Sequence, residues 1–165
     1  MTPPGWTALH ATALIVGEAG LLLRGASGAG KSSLALALLA RAQDRATYAA
    51  LVADDRVFVR VFHERLAARG DPSFTGKIER RCEGILDVAA APAAVIRLVV
   101  DLVGRADAPA RLPEDPAHWT EILGVRLPRV TLDPALGPDD RARATLDSLA
   151  RRVTAMTPGL RRIMA

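Results

Sequence analysis

The sequence predicts an α/β fold, a single domain over residues 1–165 built around a mixed β-sheet, with a phosphate-binding loop at its first strand-to-helix junction. Three observations carry that expectation. Gly25-Ala26-Ser27-Gly28-Ala29-Gly30-Lys31-Ser32 fits the pattern G-x-x-x-x-G-K-[ST] without a mismatch. It lies between a short apolar strand, Leu21-Leu22-Leu23, and a strong helix former, Ser33 to Ala40. Beyond it, strand-like segments outnumber helical ones, which favours a mixed sheet over a regularly alternating, doubly wound one.

The elements follow in order. Ala13–Val16 and Leu21–Leu23 flank Gly17-Glu18-Ala19-Gly20 and read as a hairpin. The helix after the glycine loop runs to about Arg41. Leu51-Val52-Ala53 is a buried strand, and Arg56 to Phe62 alternates as a second one. Asp71-Pro72 to Gly76 reads as a loop. Ala93 to Val103 is β-rich, Pro109 to Pro116 is a proline-punctuated connector, and Ala117 to Leu123 is read as a short helix. Val130-Thr131-Leu132 is a last strand. Asp139 to Met156 is a helix with Ala142, Leu146, Leu149 and Val153 on its apolar face.

Composition narrows the function classes. Half of the 165 residues are hydrophobic, enough for a real core, yet no apolar run is long enough to span a membrane. The first residues show no basic-then-apolar leader, so no secretory signal is expected. The lone Cys82 excludes an internal disulfide framework and suits a reducing cytoplasm. The net charge of +4 is carried almost wholly by arginine, since Lys31 and Lys77 are the two lysines. No dense basic run with interleaved aromatics stands out, so nucleic acid is not an expected partner, and neither is a membrane. Trp6 and Trp119 are read as packing residues, and His63 and His118 lack metal-site spacing.

The glycine loop points to nucleotide phosphate. Glycines let backbone N–H groups approach the phosphates, and the helix N-terminus adds partial positive charge. Lys31 would reach the β- and γ-phosphates, and the Ser32 hydroxyl would ligate Mg²⁺. Gly25 through Ser32, with Ser33, are therefore the expected nucleotide-binding residues. The second feature is Leu51-Val52-Ala53-Asp54-Asp55, an apolar strand ending in two carboxylates. Asp-Asp is common in surface turns. Only 23 positions after Lys31, however, it is an acidic strand end next to the loop. One carboxylate can bind metal while the other accepts a proton from an attacking hydroxyl.

These landmarks resemble the HPr kinase/phosphorylases of bacteria, which phosphorylate a seryl hydroxyl on HPr, the small phosphocarrier protein of the sugar phosphotransferase system. His10 precedes the strands leading into the loop. The loop reads G-x-S-G-x-G-K-S over Gly25–Ser32, and L-V-A-D-D is matched letter for letter by Leu51–Asp55. The signature I-E-x-R-G-x-G-I is partly matched by Ile78-Glu79-Arg80-Arg81-Cys82-Glu83-Gly84-Ile85, and a late-loop Arg by Arg111. The similarity covers about residues 6 to 150.

The resemblance implies a fold like the HPr kinase C-terminal domain, the cofactors ATP and Mg²⁺, and an HPr-like phosphocarrier as partner; it leaves a homo-oligomer open. It assigns Lys31, Asp54, Asp55, His10 and Arg111 to catalysis and Ser32, Glu79 and Asp54 to the metal. The Asp54/Asp55 pair would supply the base without deciding which member it is. Departures stand beside these matches. Cys82 takes the first Gly of the signature, Glu83 an apolar position and Ser33 an acidic one. Leu132-Asp133-Pro134-Ala135-Leu136-Gly137-Pro138 replaces a P-V-x-P-G-R-N segment linked to dephosphorylation, which argues against reverse phosphorolysis. The chain looks like a short form without the N-terminal domain of the long members. On the same scaffold, a small-molecule kinase and a nucleotide-binding sensor without transfer activity are the alternatives.

Overall fold

The computed structural model describes residues 1–80, 82–104, 106 and 118–156, with side chains described as far as 152. Arg111 and the connector 109–116 lie outside the described residues, as does the side chain of Val153. Ten strands and two long helices are seen among the described residues.

The chain opens with β1 (Thr7–Val16) and β2 (Ala19–Gly25), joined by Gly17-Glu18 as an antiparallel hairpin. Gly17 sits at φ 61°, a conformation glycine adopts without a Cβ clash. Helix α1 (Lys31–Asp44) starts directly at the loop lysine. Its buried residues Leu34, Ala35, Leu38 and Ala42 recur at helical spacing and form one stripe against the sheet. Strand β3 (Ala49–Ala53) pairs with β1, and β4 (Arg56–Phe62) follows after the Asp54-Asp55 turn.

Next come β5 (Arg65–Arg69), a 3₁₀ turn at Pro72–Phe74, and a small hairpin of β6 (Lys77–Arg80) and β7 (Gly84–Asp87). Strands β8 (Ala93–Leu102), β9 (Trp119–Ile122) and β10 (Val125–Leu132) precede helix α2 (Pro138–Met156).

The short helix expected over Ala117–Leu123 is overturned: Trp119–Ile122 is a strand. Leu123-Gly124, with φ 51° and 79°, is a two-residue turn with both residues left-handed, which sends the chain back as β10. His63-Glu64 makes the same kind of turn without a glycine, at φ 47° and 62°, and creates β5.

Strands β1 and β8 each serve two sheets. The first half of β1 pairs with β4 and the second half with β2 and β3. The start of β8 pairs with β5, and its remainder lies parallel to both β2 and β10. The pairings β1-β4-β5-β8-β2-β1 therefore close a ring. One core lies between the sheet and the helices and includes Leu14, Leu21, Leu23, Leu34, Leu38, Val100 and Leu149. A second lies on the opposite face and includes Ala11, Leu22, Val57, Val59, Leu66, Ile96 and Val99. Strand alternation divides the residues between the two: Leu21 and Leu23 face one way and Leu22 the other.

Candidate active site

The site gathers where three turns meet: the loop between β2 and α1, the Asp54-Asp55 turn, and the segment from Gly70 into β6. They line an open cleft of about 540 Å³, within the range of small-ligand sites. Gly30 caps α1 in a left-handed conformation at φ 95°, with no side chain bonded to the first turn. The backbone donors of that turn are thus left for a ligand. Gly25 is needed for close approach, because a Cβ there would stand 2.6 Å from the Leu102 carbonyl oxygen.

Lys31 is 7% exposed and folds back on its own loop. Its Nζ donates to the carbonyls of Gly25 at 3.0 Å and Ala26 at 3.1 Å, and lies 2.9 Å from His10 Nε2. An ammonium has no acceptor, so Nε2 accepts and the His10 proton sits on Nδ1. Nδ1 in turn meets the Asp55 carboxylate at 3.0 Å and the Asp55 carbonyl at 3.2 Å. Lys31, His10 and Asp55 are therefore a chain of contacts from the buried loop to the surface.

The two aspartates point to different groups. Asp54 accepts from Thr12 Oγ1 at 2.7 Å, from Ser32 Oγ at 3.0 and 3.1 Å, and from the Glu79 backbone N–H at 3.3 Å. Asp55 takes a left-handed backbone, φ 62°, which turns its exposed side chain toward His10. The turn is held by Ala11 N–H donating to the Asp55 carbonyl at 3.3 Å and Arg56 N–H to the Asp54 carbonyl at 2.7 Å.

Of the expected nucleotide residues, Ser27, Gly28, Gly30, Lys31, Ser32 and Ser33 line the cleft. Gly25 and Ala26 act instead through the carbonyls that hold Lys31. His10, Asp54, Asp55 and Glu79 line the same cleft. Its mouth carries two exposed apolar side chains, Phe74 and Ile85. Asp71 caps the turn before Phe74; the Ser73 backbone N–H, then the Ser73 side chain, holds its carboxyl below the ordinary value.

Ser32, Asp54 and Glu79 present hard oxygen donors on one cleft, the donor type Mg²⁺ takes. Among the described residues no three His, Cys, Asp or Glu side chains stand close enough to hold a metal by themselves.

Two contributors escape a reading of the sequence. Thr12 is fully buried and fixes Asp54; it stands two residues after His10, the strand period that puts both on one face. Arg141 reaches from α2 to donate to the Ala29 carbonyl at 3.2 Å and the Pro134 carbonyl at 3.0 Å, tying the glycine loop to the segment before α2. Arg141→Ala is expected to weaken nucleotide binding about tenfold by loosening that loop. Calorimetric titration checks this, and unchanged affinity would refute it.

The family model of the HPr Serine kinase C-terminal domain matches residues 5–153. HPr kinase/phosphorylases of Burkholderia cenocepacia (strain HI2424) and Burkholderia multivorans are 35% identical over 138 residues, 78% of this chain and 41% of each relative. The chain thus spans about two fifths of the length of the curated relatives it matches. The solved structure of the Hpr(Ser) kinase/phosphatase from Coxiella burnetii superposes with a TM-score of 0.69 at 25% identity, covering 93% of this chain and 99% of that one.

Proposed function

The chain belongs to the HPr Serine kinase C-terminal domain family, and from that premise we propose that it is an ATP- and Mg²⁺-dependent kinase that phosphorylates a serine of HPr. The observation that carries the reading is the Asp54 carboxylate holding the hydroxyl of the loop serine, Ser32, at 3.0 and 3.1 Å. A carboxylate placed there borders the metal and the transferring phosphoryl group at once.

In this reading the backbone donors around Gly28 and Gly30 bind the phosphates, and Lys31 moves from its loop carbonyls to the β- and γ-oxygens. Ser32, Asp54 and Glu79 would hold Mg²⁺, which neutralises phosphate charge when bound. Asp54 takes the proton of the acceptor serine: it already accepts the hydroxyls of Thr12 and Ser32, and the acceptor's would replace that of Ser32 when Ser32 turns to the metal. The Nδ1 proton of His10 keeps Asp55 oriented while Nε2 fixes Lys31. The serine oxygen attacks the γ-phosphorus as the bond to the β-bridging oxygen breaks, so ADP leaves and no phosphoenzyme forms. Arg111 is assigned to charge stabilisation on the transferring group, by resemblance alone.

The test is transfer from γ-labelled ATP to purified HPr from the same genome. Labelled phosphoserine that disappears in Lys31→Ala is expected. A wild-type protein that binds nucleotide yet leaves HPr unlabelled would overturn transfer to that acceptor and favour the sensor alternative.

A further inference from the structure

Outside the cleft, the most distinctive surface is the outer face of β1, β4 and β5. Strand β4 reads Arg56-Val57-Phe58-Val59-Arg60-Val61-Phe62. Val57 and Val59 belong to the second core, so Arg56, Phe58, Arg60 and Phe62 point the other way. The register adds Arg69 opposite Phe58, Arg65 opposite Phe62 and His10 opposite Arg56.

The guanidinium groups lie on rings. Arg56 stands 5.2 Å over Phe58, Arg60 4.7 Å over Phe62, and Arg69 4.5 Å over Trp6. Trp6 meets Phe62 with centroids 6.0 Å apart, so the cations and rings form one continuous strip. Among the described residues no carboxylate forms an ion pair with Arg56, Arg60, Arg65 or Arg69, whereas Arg24, Arg41, Arg80, Arg129 and Arg143 all have one. Asp71, at the cleft edge, is near enough to Arg56 to feel its charge.

We propose that this arginine face is the docking surface for a carboxylate-bearing patch of the acceptor protein, next to its acceptor serine. The inference rests on the kinase reading and names how the acceptor is held. Continuity supports it: Arg56 lines the catalytic cleft, and the strip runs from there along β4 for roughly 20 Å, at about 3.3 Å per residue. Charge supports it too, because four guanidinium groups with no carboxylate partner among the described residues, one of them (Arg56) bonded to the Thr2 hydroxyl at 3.2 Å, are complementary to an acidic surface and steer its approach. The rings are covered by cations, and Phe58 is buried, so they offer little platform for stacking bases of a single-stranded nucleic acid.

The experiment compares wild type, Arg60→Glu/Arg65→Glu and Arg60→Lys/Arg65→Lys. All are assayed by phosphate transfer to HPr across a salt series, after thermal melts confirm folding. The Glu pair is expected to raise KM for HPr about tenfold and flatten its salt dependence, with kcat within about twofold. The Lys pair should stay near wild type. Changing acidic residues beside the acceptor serine to amides should reproduce the KM increase, and add nothing further to the Glu pair.

An unchanged KM in the Glu pair overturns the proposal. So does an altered oligomeric state with KM unchanged, which would make the face a contact between copies of this chain. Displacement of an oligonucleotide by the Glu substitutions, with KM unchanged, would overturn it in favour of nucleic acid. Failure of wild type to label HPr is a separate result, seen before any variant is made; it overturns the kinase reading and this partner with it.

Discussion

Asp54→Asn is expected to lower kcat for phosphate transfer by about 10²–10⁴-fold, the range for loss of a general base. The amide keeps the shape of the side chain and can still accept from Thr12 and Ser32, so nucleotide affinity should change far less than kcat. Asp55→Asn is the informative partner. It removes a carboxylate that touches His10 at the surface, and its expected effect is about tenfold or less, because His10 keeps its contact with the Asp55 carbonyl. Single-turnover assays with nucleotide saturating separate the chemical step from binding. If the large loss fell on Asp55→Asn and Asp54→Asn were mild, the base would be Asp55 and the role of Asp54 would be confined to Ser32 and the metal.

The second large effect concerns stability. Asp101, on β8, is 8% exposed and lies between two arginines. Arg24 grips it with two bonds, at 2.7 and 2.9 Å, and Arg129 approaches to 2.6 Å. These residues join the three parallel strands β2, β8 and β10, whose ends lead into the glycine loop and toward α2. Asp101→Ala leaves two cations with no carboxylate between them. Breaking a fully buried pair costs about 3–5 kcal/mol; both arginines here keep some water, so about 2–4 kcal/mol is expected. That corresponds to a melting shift of roughly 5–15 °C. A shift of a degree or two would show that the arginines find other partners and that the cluster is not a strand clamp.

Much of the site was legible because its chemistry is local in sequence. A glycine loop needs its residues consecutive, and an acidic strand end needs its apolar run just before it. Gly25–Ser32 and Leu51–Asp55 satisfy both, and the structure brings them to one cleft. The unread parts depend on pairing at a distance. Arg-Leu-Ala-Ala-Arg over 65–69 has the composition of a helix, and it becomes a strand because His63-Glu64 turns it onto β4. The run Lys77–Arg81 looks like a solvated loop, yet through Arg80 it is the first arm of a hairpin that presents the Glu79 N–H to Asp54.

Arg141 reads as one more arginine on a helix until α2 lies beside the glycine loop. The alternation of arginine and phenylalanine in 56–62 was visible, but only the fold adds Trp6, Arg65 and Arg69 to the same face.

The sharing of β1 and β8 between two sheets has a mechanical consequence. Neither sheet can come apart without unpairing a strand of the other, so the five strands of the ring, β1, β2, β4, β5 and β8, should exchange their amide protons as one cooperative block. His10 and Thr12 sit on β1 near the point where its pairing passes from β4 to β2 and β3. A partner pressing on the outer face and a nucleotide seated in the cleft would therefore load the same stretch of backbone. Stiffening by one would lower the ordering cost met by the other, and the two ligands would communicate through a strand they both touch, with no hinge between them.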